Sequence, residues 1–409
     1  MKKRVVVTGI GIVSPIGNDI QEYWNGLKNG RNGISKITHF DTSKFNIKLA
    51  AETKINLINY FTTKELNKLD RFSAFAIIAA EQAINQSGIT SQKLDNERIG
   101  VIIGSGIGGM NTLEAQHSRM LKHPKRVSPY FIPSMITDIA AGHISIKYGF
   151  KGLNYSLVSA CASSSHCIGN AFRSIQYNDA DIVVVGGSEA SITPLAISGF
   201  SNMKALSKQT DKNIACRPYD LNRDGFVMGE GSGILILESL ESANNRGARI
   251  IAEVCGYGAT ADAYHLTSPP PDGQGAISAM TIAIKDANIK YNDINYINTH
   301  GTSTKLNDMI ETIAIKKTFK AHSNDLSISS TKSMTGHLLG AAGAIESIAA
   351  ILSINNGIVP PTINLNTIDP ECNLNYTPNK SISKKLMYAL SNTFGFGGHN
   401  ASLIFKKYE

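Results

Sequence analysis

No two of the five cysteines form a CxxC pair. Cys161, Cys167, Cys216, Cys255 and Cys372 are widely spaced and odd in number, which argues against a disulfide framework or a structural zinc site and for a reducing compartment. No metal is therefore expected. Long apolar runs are also missing: none approaches the ~18 residues of a membrane span. The apolar start Met1 to Ile10 is too short for a signal peptide and is interrupted by Gly9, Gly11, Pro15 and Gly17, so it reads as a first β-strand. A dense Lys/Arg run with interleaved aromatics is absent, which sets nucleic acid aside as a partner. No Pro/Ser/Gly linker divides the chain.

What remains is an ordinary globular composition, 42% hydrophobic and 18% charged over 409 residues, enough for two or three core units. The net charge of +8 reads either as lysine spread over solvated faces or as a patch for an acidic protein or a phosphate-bearing ligand. Apolar strands are expected at Arg4–Thr8, Arg98–Ile103, Leu153–Val158, Asp181–Val185 and Gly233–Glu238. Helical periodicity covers Tyr60–Ser87 and Ile132–Tyr148. Near Ala248 the pattern restarts, with strands at Ile250–Val254, Ile294–Thr299, Leu326–Ser329, Tyr388–Asn392 and Ala401–Phe405. Helices are expected at Gln274–Ala287 and Gly340–Asn355. Alternating strands and helices with glycine-rich strand ends predict an α/β protein with buried sheets. Each half ends in two strands joined through glycine-rich backbone, which points to an internal duplication with a boundary near 247/248.

Leu153–Asn178 is the centre of the reading. A strand leads into Ser159-Ala160-Cys161-Ala162-Ser163-Ser164-Ser165, and a helical pattern follows through Ile168, Ala171, Phe172 and Ile175. Small residues allow a sharp turn, the serines suit a helix start, and a thiol at a helix N-terminus is expected to favour thiolate. A buried structural cysteine is the plainer alternative. Three polar residues of the second half also stand at strand ends: His300 in NTHGTST, Lys332 in STKS and His337 in MTGHLLGAAG. Sites of open α/β sheets lie at the carboxyl ends of strands, so Cys161 with two histidines and a lysine forms a candidate nucleophilic site, although either histidine alone would pass as a loop residue.

These motifs, with VVVTGIGIVSPIG at the start and NTFGFGGHNASLIF near the end, resemble the β-ketoacyl-acyl carrier protein synthases over essentially the whole chain, closest to type II, the elongating condensing enzymes. The resemblance implies a thiolase-like α/β fold of two similar halves, residues 1–247 and 248–409, stacked as alternating helix and mixed-sheet layers, and a homodimer. It implies that Cys161 takes an acyl chain as a thioester and that malonyl-acyl carrier protein then decarboxylates and attacks it. His300 and His337 would donate hydrogen bonds to the enolate. Lys332 would act through electrostatics around His337, supported by Glu346, while Asp308 and Glu311 would cap and anchor a helix. The backbone N–H groups of Cys161 and Phe396 would hold an oxyanion, and Phe396 would gate the thiol. Ile107 and Phe200 would line an acyl pocket. Lys64, Lys68, Lys125, Arg126 and Lys204 would receive the acidic carrier protein. No resident cofactor is expected, since the substrate arrives on the carrier's phosphopantetheine arm, and no membrane is expected either. Cytoplasm and organelle stroma both fit.

Lys305 stands where proline is usual, which predicts a less rigid loop. His399 replaces a common threonine near the gate, and Thr63 is not basic beside the carrier patch. Type I synthases and polyketide-type ketosynthases are alternatives within the same chemistry. From other classes, Gly104–Gly109 satisfies GxGxxG after a strand, the pattern of a dinucleotide-binding oxidoreductase, but no acidic residue follows at the expected distance. A non-catalytic partner subunit would lack Cys161, and a thiolase would need a second cysteine within the C-terminal motif, where Cys372 does not lie.

Overall fold

Ten strands hydrogen-bond in one continuous run in the computed structural model, which describes residues 2–409. The first five are β1 (Val5–Val13), β2 (Ile99–Gly104), β3 (Asn154–Tyr155), β4 (Ile182–Glu189) and β5 (Gly231–Ser239). The second five are β6 (Ala252–Ala261), β7 (Ile294–Asn298), β8 (Ser327–Ser329), β9 (Tyr388–Gly395) and β10 (His399–Lys407). Within the first five the order is β1-β5-β4-β2-β3; within the second it is β6-β10-β9-β7-β8. Both sets run antiparallel, antiparallel, parallel, parallel along that order. The two sets join edge to edge where Val5, Val6 and Val7 pair with Val254, Glu253 and Ala252.

Helices stack on both faces of each set: α1 (Arg71–Ser87), α2 (Met110–Lys122), α3 (Ile139–Tyr148), α4 (Ser163–Gln176), α5 (Gln274–Asp286), α6 (Lys305–Phe319) and α7 (Ala342–Asn356). α1 covers β1, β5 and β4, and α5 covers β6 and β10 with α6 packed against it in the same core cluster. Between the two sheets lie α4 and α7, which touch strands of both. The result is five alternating layers, with the sheets buried on both faces.

Glycine sets how close these layers come. β1 runs to Val13, past the Thr8 expected from the sequence, because Gly9 and Gly11 lie inside it and do not end it. A Cβ at Gly11 would overlap the carbonyl oxygen of Ala79 in α1, and one at Gly9 that of Ala83. The second half repeats the device: a Cβ at Gly258 or Gly256 would overlap Ala279 O or Ala283 O of α5. Two helical turns thus press onto two strand glycines in each half. β4 likewise continues through Gly186 and Gly187 to Glu189.

Other boundaries move for local reasons. The expected Leu153–Val158 strand shrinks to Asn154–Tyr155, which pairs with Val101 and Ile102. The Tyr60–Ser87 periodicity divides into a turn, Thr63–Leu66, closed by a Thr62/Glu65 capping box, and α1, which starts at Arg71 after the N-cap Asp70. The Ile132–Tyr148 pattern divides into Phe131–Met135 and α3. One segment, Leu339–Asn356, reaches 18 residues with apolar composition, contrary to the expectation that no run would. It is 89% buried, as the central layer requires.

Gly11→Ala or Gly258→Ala is expected to destabilise the fold by about 3 kcal/mol, since the added methyl meets helix backbone that cannot rotate away. Gly199→Ala, with nothing within 4 Å of the added carbon, is expected to be neutral or to stabilise the Pro194–Asn202 helix by up to about 1 kcal/mol. Thermal melts of the three variants check this; equal melting temperatures would refute the packing argument.

Candidate active site

Four chain crossings bring the sequence-predicted residues together at the carboxyl ends of β3, β7, β8 and β9. Cys161 follows β3 after a turn in which Ala160 takes φ +50°. His300 lies two residues beyond β7, Lys332 three beyond β8, and Phe396 just after β9. Cys161 Sγ and one nitrogen of each of His300 and His337 lie within 4.8 Å of one another. His337 Nε2 is 3.1 Å from Cys161 Sγ. The imidazole centroids of His300 and His337 are 5.2 Å apart, nearly perpendicular. All three residues are buried, at the end of a cavity of about 670 Å³ also lined by Phe200, Phe394 and Phe396.

Backbone contacts define the proton on His337. Its Nδ1 accepts the Leu339 N–H at 3.3 Å, which leaves Nε2 as the protonated nitrogen, directed at the sulfur. The residue is held in place by two backbone bonds, its own N–H to Val227 O at 2.7 Å and Gly229 N–H to its carbonyl at 2.9 Å. His300 is held from behind by Glu311, whose two carboxylate oxygens accept the His300 and Gly301 N–H groups at 2.9 and 2.8 Å.

Lys332 and Glu346 form a buried ion pair behind the histidines. Burial pushes both histidines well below their usual range, and the Lys332 charge pushes further in the same direction, with His337 adding to the effect on His300. Both rings are therefore neutral at neutral pH. Burial raises Glu346 to about 7, opposed by Lys332.

The thiol departs from expectation. The helix after it begins at Ser163, with Ala162 as N-cap and no side-chain cap, so Cys161 sits outside the first turn. The serines do not cap: Ser163 Oγ donates to Ala160 O, and Ser164 Oγ accepts from Ala344 N–H of α7. Burial pushes the thiol up to about 12. Lys332 and the N–H groups of Phe396 and Cys161 pull it down, and Glu189 pushes it up. The resting group is a thiol aimed at imidazole and amide donors, not a free thiolate. Close approach of the β9 turn makes this possible, because a Cβ at Gly395 would stand 3.2 Å from the Cys161 nitrogen.

The supporting carboxylates anchor loops and do not cap α6. Glu311 fixes the His300 turn, and Asp308, inside α6, accepts the Tyr219 N–H and pairs with Arg223 at 3.2 Å. Arg223, only 1% exposed, also donates to the carbonyls of Thr304 and Lys305. It thus supplies the rigidity that Lys305 withholds where proline is usual. Arg223 and Glu189 were not apparent from sequence; the only signal was for Glu189, a charged residue ending an apolar strand. Ile107 and Phe200 pack against the same apolar cluster as Cys161. His399 stands beside Gly397 and edge-on to His166, 6.4 Å between ring centroids. The basic residues fall into two groups. Lys204 is on the cavity rim. Lys64 and Lys125–Arg126 sit on turns leading through Leu66 and Ser128 into a second cleft, where Lys68 lies over the Tyr130 ring at 4.8 Å. Thr63, exposed, opens the first of these turns. Cys372 is packed in the second-half core against Arg223, away from the cavity.

Five layers with a cysteine and two histidines at strand ends define a thiolase-like enzyme. Residues 2–243 match the profile "Beta-ketoacyl synthase, N-terminal domain" and residues 251–366 "Beta-ketoacyl synthase, C-terminal domain". The chain is 51% identical over 409 residues to a 3-oxoacyl-(acyl-carrier-protein) synthase 2 of Staphylococcus aureus strain COL, covering 100% of this chain and 99% of that one. A synthase 2 of Synechocystis sp. is 51% identical over 411 residues at the same coverage. Among solved structures, a type II PKS ketosynthase in complex with its acyl-carrier protein superposes with TM-score 0.93 at 37% identity, and a β-ketoacyl synthase of Burkholderia phymatum with 0.92 at 33%, each covering 100% of both chains. The chain belongs to the β-ketoacyl synthase family, whose members are condensing acyltransferases.

A histidine whose folded pKa lies below the unfolded value near 6.5 contributes full stability above that value and loses it as pH falls below. Malonyl-thioester decarboxylation is accordingly expected to show no histidine limb near pH 6.5. A histidine limb near 6.5 in a kcat profile would contradict the neutral pair.

Proposed function

We propose that this chain catalyses decarboxylative condensation of malonyl-acyl carrier protein with an acyl chain held on Cys161, lengthening it by two carbons. The observation that carries the reading is the convergence of one thiol and two neutral imidazoles on one cavity. In the first step Cys161 sulfur attacks the incoming thioester carbonyl, the pantetheine C–S bond breaks, and the thiol proton leaves with the pantetheine sulfur. The Cys161 and Phe396 N–H groups face the oxyanion formed on the way. In the second step the malonyl C–CO₂ bond breaks, releasing CO₂ and leaving an enolate to which neutral His300 and His337 donate. The enolate carbon then bonds the acyl carbonyl, and Cys161 sulfur departs as a thiolate that takes up one proton from solvent.

Lys332 keeps the histidines neutral, and Glu346 keeps Lys332 buried. Ile107 and Phe200 line the acyl pocket, and Phe396 closes over the thiol. The division falls at 247/248, with the nucleophile in the first half and both histidines in the second. No resident cofactor takes part; the substrate is carried on a phosphopantetheine arm. An acidic carrier protein suits the chain's net charge of +8 and its exposed basic residues at the cavity rim and second cleft. The five unpaired thiols fit a reducing cytoplasm or stroma. The GxGxxG loop does not serve a nucleotide, because its Gly106 and Ile107 N–H groups already donate to the buried Glu189 carboxylate.

A second copy of the chain is the partner best suited to one face. α2 has no buried residue, and Leu121, Ile132 and Ile146 stand 69%, 55% and 81% exposed. The β3 edge is unpaired on its outer side. These are features of surface that a homodimer would cover.

Incubation with acyl-acyl carrier protein alone is expected to place the acyl mass on a peptide containing Cys161, and Cys161→Ala to abolish it. Absence of acylation across chain lengths would overturn the mechanism. His300→Ala or His337→Ala is expected to slow decarboxylation roughly 10²- to 10³-fold, measured as CO₂ release. Light scattering is expected to read twice the chain mass; a single-chain mass would remove the homodimer.

A further inference from the structure

Directly behind Ala160–Cys161, at the carboxyl end of β4, lies a carboxylate with no cation. Glu189 is fully buried, and among the described residues none of the cationic side chains reaches it within ion-pair distance. It is satisfied instead by five donors. Oε2 accepts the Gly106 N–H at 2.7 Å and the Gly340 N–H at 3.0 Å. Oε1 accepts Ser105 Oγ, Ser191 Oγ and, at 3.3 Å, the Ile107 N–H. The packing is closed: a Cβ on Gly106 or Gly340 would stand 2.8 Å from Oε2.

The two glycine amides belong to different parts of the site. Gly106 and Ile107 belong to the loop between β2 and α2, whose Ile107 packs on the apolar cluster that holds Cys161. Gly340 follows Leu339, whose N–H sets the proton position on His337. An uncompensated buried carboxylate holds its donors firmly, since leaving such a group unpaired costs far more than an ordinary hydrogen bond. A purely packing role would be met by an uncharged side chain without the desolvation.

We propose that Glu189 is a positioning residue that ties the Ile107 loop to the Leu339–Gly340 turn behind Cys161 and so sets acyl-chain selectivity. The proposal rests on the condensing-enzyme reading, and the wild-type acylation of Cys161 is the control that separates failure of that reading from failure of this one.

Purified variants are assayed with acyl-acyl carrier proteins of graded chain length. Glu189→Ala is expected to change the ratio of kcat/KM for the longest to the shortest accepted chain by at least about 10-fold, because both amides lose their acceptor. Glu189→Gln retains one carbonyl oxygen for the two glycine amides and is expected to restore the ratio to within a few-fold. The charge is read separately. Cys161 is faced by His300, His337, Lys332 and Glu189, and only the last opposes thiolate through negative charge. Alkylation of Cys161 by iodoacetamide is therefore expected to shift to lower pH in Glu189→Gln, which a packing role would not produce. An unchanged chain-length ratio in Glu189→Ala, or an unmoved alkylation profile in Glu189→Gln, overturns the proposal. Should Glu189→Ala not fold, Ser105→Ala and Ser191→Ala each delete one donor to Oε1, and an unchanged chain-length ratio in both overturns it equally.

Discussion

An ammonium and a carboxylate, each about 1% exposed, meet where α7 passes behind the His337 turn. Either charge alone in that layer would cost several kcal/mol, and removing one partner leaves the other uncompensated. Together they hold the Lys332 ammonium close enough to act on the histidines and the thiol. That charge has three listeners. It disfavours protonation of His300 and of His337, and it favours thiolate on Cys161. The ion pair therefore biases a neutral hydrogen-bonding pair of imidazoles and a buried thiol in the same direction. With both rings neutral, His337 presents its Nε2–H towards the sulfur.

The layer that buries this pair exists because helices sit unusually close to sheets. In both halves a strand presents two glycines, at i and i+2, to two alanines four apart on a helix. Strand side chains on one face recur every two residues and helix side chains every three or four, so the two periods meet along one short contact. The identical strand order of the two five-stranded sets follows the same duplication. Chemistry breaks the symmetry. The turn after β3 carries the thiol, whereas the matching turn after β8 carries Lys332 and leads to His337. At the matching ends of β4 and β9, one half places Glu189 and the other Gly395, which must be bare to let backbone donors reach the sulfur.

Sequence periodicity located every strand of the large sheet, although β1, β4 and β6 run on past their expected ends to Val13, Glu189 and Ala261 and β3 is shorter than expected, and motif order located Cys161, His300, Lys332, His337 and Phe396. These are local signals: apolar runs, strand-end glycines and turn residues. What stayed hidden depends on contacts across the chain. Gly9 and Gly11 look like breakers until α1 is seen lying on them. The Cys161 turn was legible, but its electrostatics were not, because helix position argues for thiolate while the degree of burial, a property of both sheets and α7, argues more strongly against it. Glu189 and Arg223 drew no notice, since nothing near them in sequence announces that five donors or two carbonyls converge there from elsewhere.

A buried site with a neutral thiol suits a reaction whose charge is transient. Negative charge appears first on a thioester oxygen and then on an enolate, each time within reach of N–H donors already in place. Donors held by backbone bonds, as His337 is through Val227, Gly229 and Leu339, need not reorganise when that charge forms, which is where low-dielectric hydrogen bonds contribute most. A permanently ionised cysteine would spend the same donors on the resting state. By leaving the sulfur protonated and the imidazoles neutral, the burial that raises the thiol also keeps those donors free for the substrate's developing charge.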